Sequence, residues 1–164
     1  SMGALKIMKK LEQEDILISK KIGNYHLYKI NLESEYAFDF IKFLLKREAK
    51  HASSYVRRWL QELKRVKEAE CAILFWSVLT KEDSANDIDV LFILKQNNFN
   101  ALKRKIEKLN EINEKNIHPI YQTFNDLKQN IIKEDKVILN AIKGLVAFGE
   151  DNFISLIKEV KWVK

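Results

Sequence analysis

Apolar and polar positions change period several times along this chain, and each change marks an element. Ala4 to Gln13, ALKIMKKLEQ, has apolar residues at 4, 5, 7, 8 and 11, the spacing of one helical face. Past Glu14-Asp15, Ile16 to Lys21 predicts a strand, Ile22-Gly23-Asn24 a turn, and Tyr25 to Asn31 a second strand. From Glu33 to about Glu70 the period is helical again. Tyr36, Phe40, Phe43 and Leu44 share one face; Tyr55, Trp59, Leu60, Leu63 and Val66 share another. Ser53 and Ser54 between them predict the end of one helix and the cap of the next, and Trp59 is expected in a core or an interface. Two apolar runs follow, Ala72-Ile73-Leu74-Phe75 and Val90-Leu91-Phe92-Ile93-Leu94. Between them lies a polar connection, with Lys81, Glu82 and Asp83 on a solvated turn or helix start. Asn100 to Glu114 predicts an amphipathic helix with Leu102, Ile106, Leu109 and Ile112 on its apolar side. Ile117 to Tyr121 reads as a short strand whose Pro119 favours an edge position. The remainder, Phe124 to Val163, reads as helices broken at Lys143 to Gly149, the last of them Phe153 to Val160. Strand, connection, strand, helix, strand and then helices indicate an α/β (α+β) layered fold.

Composition narrows the possibilities. With 164 residues the chain holds one domain, or one domain and an appendage. Cys71 is its single cysteine, so there is no disulfide framework and no thiolate cluster for zinc. His26 and His51 have no metal-ligand spacing. No apolar run reaches membrane-spanning length and no signal peptide is visible, so cytoplasmic residence without membrane attachment is expected. The net charge of +6 is uneven: residues 1–70 carry 15 Lys/Arg against 10 Asp/Glu, residues 71–164 carry 14 against 13. A basic first part points to an acidic partner such as DNA.

The chemistry concentrates at Asp87-Ile88-Asp89, where the polar connection meets the second apolar run. In an extended chain residues two apart share a face. Asp87 and Asp89 are therefore expected on one side while Ile88 enters the core. Two adjacent carboxylates repel unless a cation or proton offsets them, and Mg2+ carrying nucleotide phosphates is a common solution.

An apolar strand, then Phe75-Trp76-Ser77, about nine residues and Asp87-Ile88-Asp89 on the next strand resembles the minimal nucleotidyltransferase family of the polymerase-β superfamily. There the pattern is Phe-Gly-Ser followed by Asp-x-Asp. The tail, Phe148-Gly149-Glu150-Asp151-Asn152-Phe153, is also similar to the segment that closes these domains, and the resemblance covers about residues 68–160. It implies a small mixed sheet with flanking helices, and Mg2+/NTP-dependent transfer of a nucleoside monophosphate to an acceptor hydroxyl. Asp87 and Asp89 are then the catalytic, metal-holding pair, and Ser77 and the Trp76 turn contact the nucleotide phosphates. Two departures imply an impaired site. Trp76 stands where the family has glycine, a residue used for positive φ and close phosphate approach. A third carboxylate is missing from the strand Ile117 to Thr123, Glu114 lying before it and Asp126 after it. His118 is the polar group that could stand nearby, against a plain structural role.

The first helix and basic hairpin resemble the second half of a winged helix-turn-helix domain, without the two helices that precede the recognition helix there. That resemblance implies DNA contacts from Lys20, Lys21 and Asn24. Archaeal nucleotidyltransferases of this type often carry such a domain. The organisation expected is a partial winged-helix segment at 1–32, connecting helices at 33–67 and a nucleotidyltransferase-like domain at 68–164. The competing readings are a DNA-binding regulator that uses an inactive nucleotidyltransferase fold, and an antitoxin-like partner of a helical HEPN protein. Self-association into a homodimer through the helices of residues 34–67 accompanies either.

Overall fold

Elements form largely where the periodicity puts them. The computed structural model describes residues 2–160, and the chain divides into two units, 1–44 and 45–164. In the first, helix α1 (Met2–Gln13) leads into a two-stranded antiparallel ribbon of β1 (Leu17–Ile22) and β2 (Tyr25–Ile30). Asn31 pins the base of the ribbon: its N–H donates to Ile16 O at 2.9 Å and its Nδ2 to the Asp15 carboxylate at 2.8 Å. Helix α2 (Glu35–His51) begins in this unit, with Ser34 Oγ accepting from the Ala37 N–H, and ends in the next.

The second unit is built on a four-stranded mixed sheet. Its strands are β3 (Cys71–Leu74), β4 (Ile88–Ile93), β5 (Ile117–Gln122) and β6 (Leu145–Phe148), in the order β5-β4-β3-β6. β3 pairs antiparallel with β4 and with β6, while β4 pairs parallel with β5. Both faces are covered, which is why β3 and β4 read as continuous apolar runs instead of alternating ones. On one face Ala72, Leu74, Val90 and Phe92 meet Trp59 and Leu63 of α3 (Ser54–Leu63) and Leu102, Ile106 and Leu109 of α5 (Phe99–Ile112). On the other, Cys71, Ile73, Phe75, Leu91 and Ile93 meet Leu127 and Ile131 of α6 (Phe124–Ile132), Ile138 of α7 (Lys136–Ala141) and Leu156 of α8 (Glu150–Glu159). Each of these large side chains contributes about 1.5–3 kcal/mol by leaving water. Trp59, 2% exposed, is core as expected.

The caps explain several boundaries. Ser53 Oγ accepts from the Val56 N–H, so the serine pair separates α2 from α3. Thr123 and Asp126 cap each other at the start of α6. Pro119 lies on edge strand β5, where its missing N–H interrupts no central ladder.

The polar connection, expected as a turn or helix start at Lys81 to Asp83, holds helix α4 (Ser77–Lys81) and a 3-10 turn, Glu82–Ser84. Two expectations are corrected. Helix does not continue to Glu70; α3 stops at Leu63, and residues 64–70 descend to β3. The break at Lys143 to Gly149 is an edge strand, β6, and the last helix starts at Glu150, three residues before its expected start. The final residues assigned to helix, up to Val163, lie in part outside the described residues. Among those described, no helix is long and apolar enough to cross a membrane.

Candidate functional site

The hairpin β3–α4–β4 places the candidate chemistry at one end of the sheet. The Phe75 N–H donates to Asp89 O at 3.0 Å, extending the β3–β4 ladder one step past Leu74. The chain must then turn sharply into α4, and Trp76 does so at φ +63°. This is the left-handed conformation that glycine takes freely and other residues adopt at a cost of about 1–2 kcal/mol. The backbone thus has the geometry a glycine would supply, in a residue that is not glycine. The indole stays out of the core: it is 60% exposed and lies beside Phe75, ring centroids 6.3 Å apart at 19°.

Ser77, the next residue, faces Asp89. Its Oγ donates to Asp89 Oδ2 at 3.2 Å. Ile88 is fully buried, as the alternation predicts, so Asp89 points to the other side of the strand, its side chain 14% exposed. Asp87 is exposed and precedes the first residue of β4. It makes no hydrogen bond or ion pair among the described residues.

His118, the polar group the sequence offered near the site, and Lys115, which it did not single out, complete the arrangement. The parallel register pairs Asp89 with His118 on β5. His118 Nδ1 lies 3.2 Å from Asp89 Oδ1, with the imidazole 72% exposed. Both oxygens of Asp89 are therefore engaged, one by a hydroxyl and one by a ring nitrogen. Lys115 anchors the connection before the Asp-x-Asp stretch: its Nζ donates to the carbonyls of Asp83 and Ala85 and sits 5.8 Å from the centroid of the Tyr55 ring. Neither contact has a sequence signature beyond a polar residue near a strand start.

The donor chemistry fits one hard cation better than two. Mg2+ is usually held by one or two carboxylates together with substrate phosphates, and Asp87 and Asp89 supply oxygen ligands of that kind. Among the described residues no three His, Cys, Asp or Glu side chains gather in a metal-binding group. The register position opposite Asp89 carries an imidazole, not a carboxylate. Asp126 is committed to the α6 cap, its Oδ2 accepting from Thr123 Oγ1 at 2.6 Å, and Glu114 is exposed before β5.

In the first unit, Lys20, Lys21 and Asn24 are all exposed on the ribbon. Lys20 pairs with Leu27 and Lys21 with His26, so the two lysines project from opposite faces of the ribbon. Comparison with protein-family models, curated proteins and solved structures gave no match.

Proposed function

We propose that residues 45–164 form a nucleotidyltransferase-like site that takes an NTP with Mg2+ and transfers its nucleoside monophosphate to an acceptor hydroxyl. The observation that carries this reading is the Ser77–Asp89 hydrogen bond at 3.2 Å, which joins the turn after the first strand to the aspartate of the second. The small mixed sheet, with β3 and β4 antiparallel and β5 parallel to β4, supports it as well. So does the positive φ at Trp76, which keeps the backbone of a phosphate-binding turn although glycine is absent.

In this reading Asp87 and Asp89 hold the cation. When bound, Mg2+ neutralises phosphate charge and polarises the phosphorus under attack. Ser77 would exchange its bond to Asp89 for one donated to a phosphate oxygen, and the N–H groups of the Trp76 turn would be further donors to phosphate. His118 keeps the Asp89 carboxylate oriented through Nδ1 and offers an imidazole, not an acid, beside the reacting hydroxyl. A nitrogen there holds a second Mg2+ poorly, since that ion prefers oxygen. Turnover is accordingly slow relative to a site with three carboxylates.

Titration calorimetry with ATP and Mg2+ tests the proposal. Saturable nucleotide binding that needs Mg2+ and disappears in Asp89→Ala supports it; wild-type protein without Mg2+-dependent binding sinks it. Labelled ATP then identifies whether protein, nucleic acid or a small molecule accepts the nucleotide.

A further inference from the structure

The charge of this chain is far more localised than its halves indicate. Residues 45–67 hold eight Lys/Arg against two Glu, a net +6, equal to the net charge of the whole chain. The other 141 residues are neutral in sum. Residues 1–44, with the ribbon, carry seven Lys/Arg against six Asp/Glu. Half of the 45–67 cations surround one cleft of about 330 Å³ in the second unit. The last turns of α2 supply Lys46 and Lys50, four apart and so on one helix face, while α3 and its C-terminal cap supply Arg57 and Lys64. All four are exposed. The side chains of Lys46, Lys50 and Lys64 make no hydrogen bond or ion pair among the described residues. Arg57 is oriented by the residues just before it, Nη1 donating to Ala52 O at 2.7 Å and Nη2 to Ser54 Oγ at 3.1 Å. Among the described residues a single carboxylate, Glu150, faces this group.

Four cations around a concave surface repel one another, a cost that the single carboxylate Glu150 offsets only in part, and a concave shape concentrates their field. An anion resolves it. The walls decide which kind: apart from Gln61 the uncharged ones are aliphatic, and among the described residues no aromatic side chain lines the cleft. A base or other flat ring would find no stacking surface, so a free nucleotide would be held by its phosphates alone. Two rows of cations on neighbouring helices suit successive phosphates of a strand better than one compact anion.

We infer that the cleft between α2, α3, β6 and the start of α8 binds the phosphodiester backbone of a nucleic acid without reading its sequence. Contacts confined to phosphate position a strand and carry no base information. Affinity then falls steeply with salt as counterions return, by a slope of about 0.7 per phosphate contact on single strands and 0.9 on duplex.

Fluorescence anisotropy with the full chain and labelled mixed-sequence RNA, single-stranded DNA and duplex DNA tests this. The triple variant Lys46→Gln/Lys50→Gln/Lys64→Gln is compared with Lys103→Gln/Arg104→Gln/Lys108→Gln, which removes equal charge from exposed positions on α5. The cleft variant is expected to lose affinity about tenfold or more and to reduce the single-strand salt slope by about 2. The α5 control should stay within about twofold, and Lys→Arg replacements in the cleft should retain binding because they keep the charge. Both variants are checked for an unchanged melting temperature, and the arginine variant keeps the test valid if the glutamine one unfolds. The inference is overturned by absence of binding to any of the three nucleic acids at low salt, by equal losses in cleft and control variants, or by loss on Lys20→Gln/Lys21→Gln with the cleft variant intact. Inorganic tripolyphosphate bound as tightly as an oligonucleotide overturns it too, since that describes a small-anion site.

Discussion

Asp89 and His118, 29 residues apart in sequence, stand side by side on parallel strands with Oδ1 and Nδ1 separated by 3.2 Å. The imidazole occupies the register position from which a carboxylate would face any cation that Asp89 held. His118→Asp is therefore expected to create a third oxygen donor and to raise affinity for Mn2+ or Mg2+ at least severalfold, measured by calorimetry without nucleotide. Because the imidazole is largely exposed, losing its contact with Asp89 should change stability by less than about 1 kcal/mol. An unchanged metal affinity in the folded variant would remove the basis for treating this register position as part of a metal site.

Trp76 holds a conformation suited to glycine, so Trp76→Gly removes a strain of about 1–2 kcal/mol. Part of that gain is lost to the greater freedom of glycine in the unfolded chain, about 0.5–1 kcal/mol. A net stabilisation of about 0.5–1 kcal/mol is expected, seen as a higher urea midpoint with the slope unchanged. If the turn also receives phosphate, the same variant should bind Mg2+-ATP more tightly. A lowered midpoint would show that the exposed indole contributes more through Phe75 than its geometry implies.

Gly149 joins β6 to α8 at φ +81°, with its backbone pressed against β3. A Cβ there would lie 2.1 Å from Glu70 O and 2.7 Å from Cys71 Cα. Gly149→Ala combines a strained φ with a backbone clash that no side-chain movement relieves. A loss of more than about 2 kcal/mol is expected in denaturant unfolding. Gly144→Ala, whose Cβ would meet Leu74 O at 2.2 Å, should behave alike at the other end of β6. Tolerance of both substitutions would mean that β6 is not held against β3 as described.

The Cys71 thiol, fully buried at the start of β3, is pushed up from 9.0 to about 12, mainly by burial and further by the charge of Glu150. The folded state therefore keeps a proton that the unfolded chain releases above pH 9. Its contribution to stability is complete below that value and is lost as pH rises from 9 toward about 12. Wild-type protein should lose stability faster than Cys71→Ala across this window, in paired urea titrations. At pH 8 a thiol reagent should label the native protein only through unfolding. Parallel pH profiles for the two proteins would contradict the burial of the thiolate.

Much of this molecule was legible from residues alone, and the reason is local. The apolar runs of β3 and β4 and the helical stripe of α5 are long enough for their period to be unambiguous, and Ile88 between two aspartates had one side to go to. Ser53 and Pro119 announced a helix start and a sheet edge through their own backbone chemistry. Leu145–Phe148 was different: four residues between glycines carry too little period to separate a strand from a helix break. Only pairing with β3 decides that segment. The five-residue helix after Ser77 is equally short.

Registers and surfaces could not be read locally at all. Sequence supplied Asp89 and Ser77, but parallel pairing brought His118 to that carboxylate, and the turn geometry showed how Trp76 accommodates a glycine's conformation with its ring outside the core. Sequence likewise supplied the cations of residues 45–67. Folding α2 and α3 beside β6 turned four of them into the walls of one cleft. Composition and period determine which side chains are buried and which are charged. Which of them meet depends on strand register and helix packing, whose energies come from contacts between residues distant in the chain.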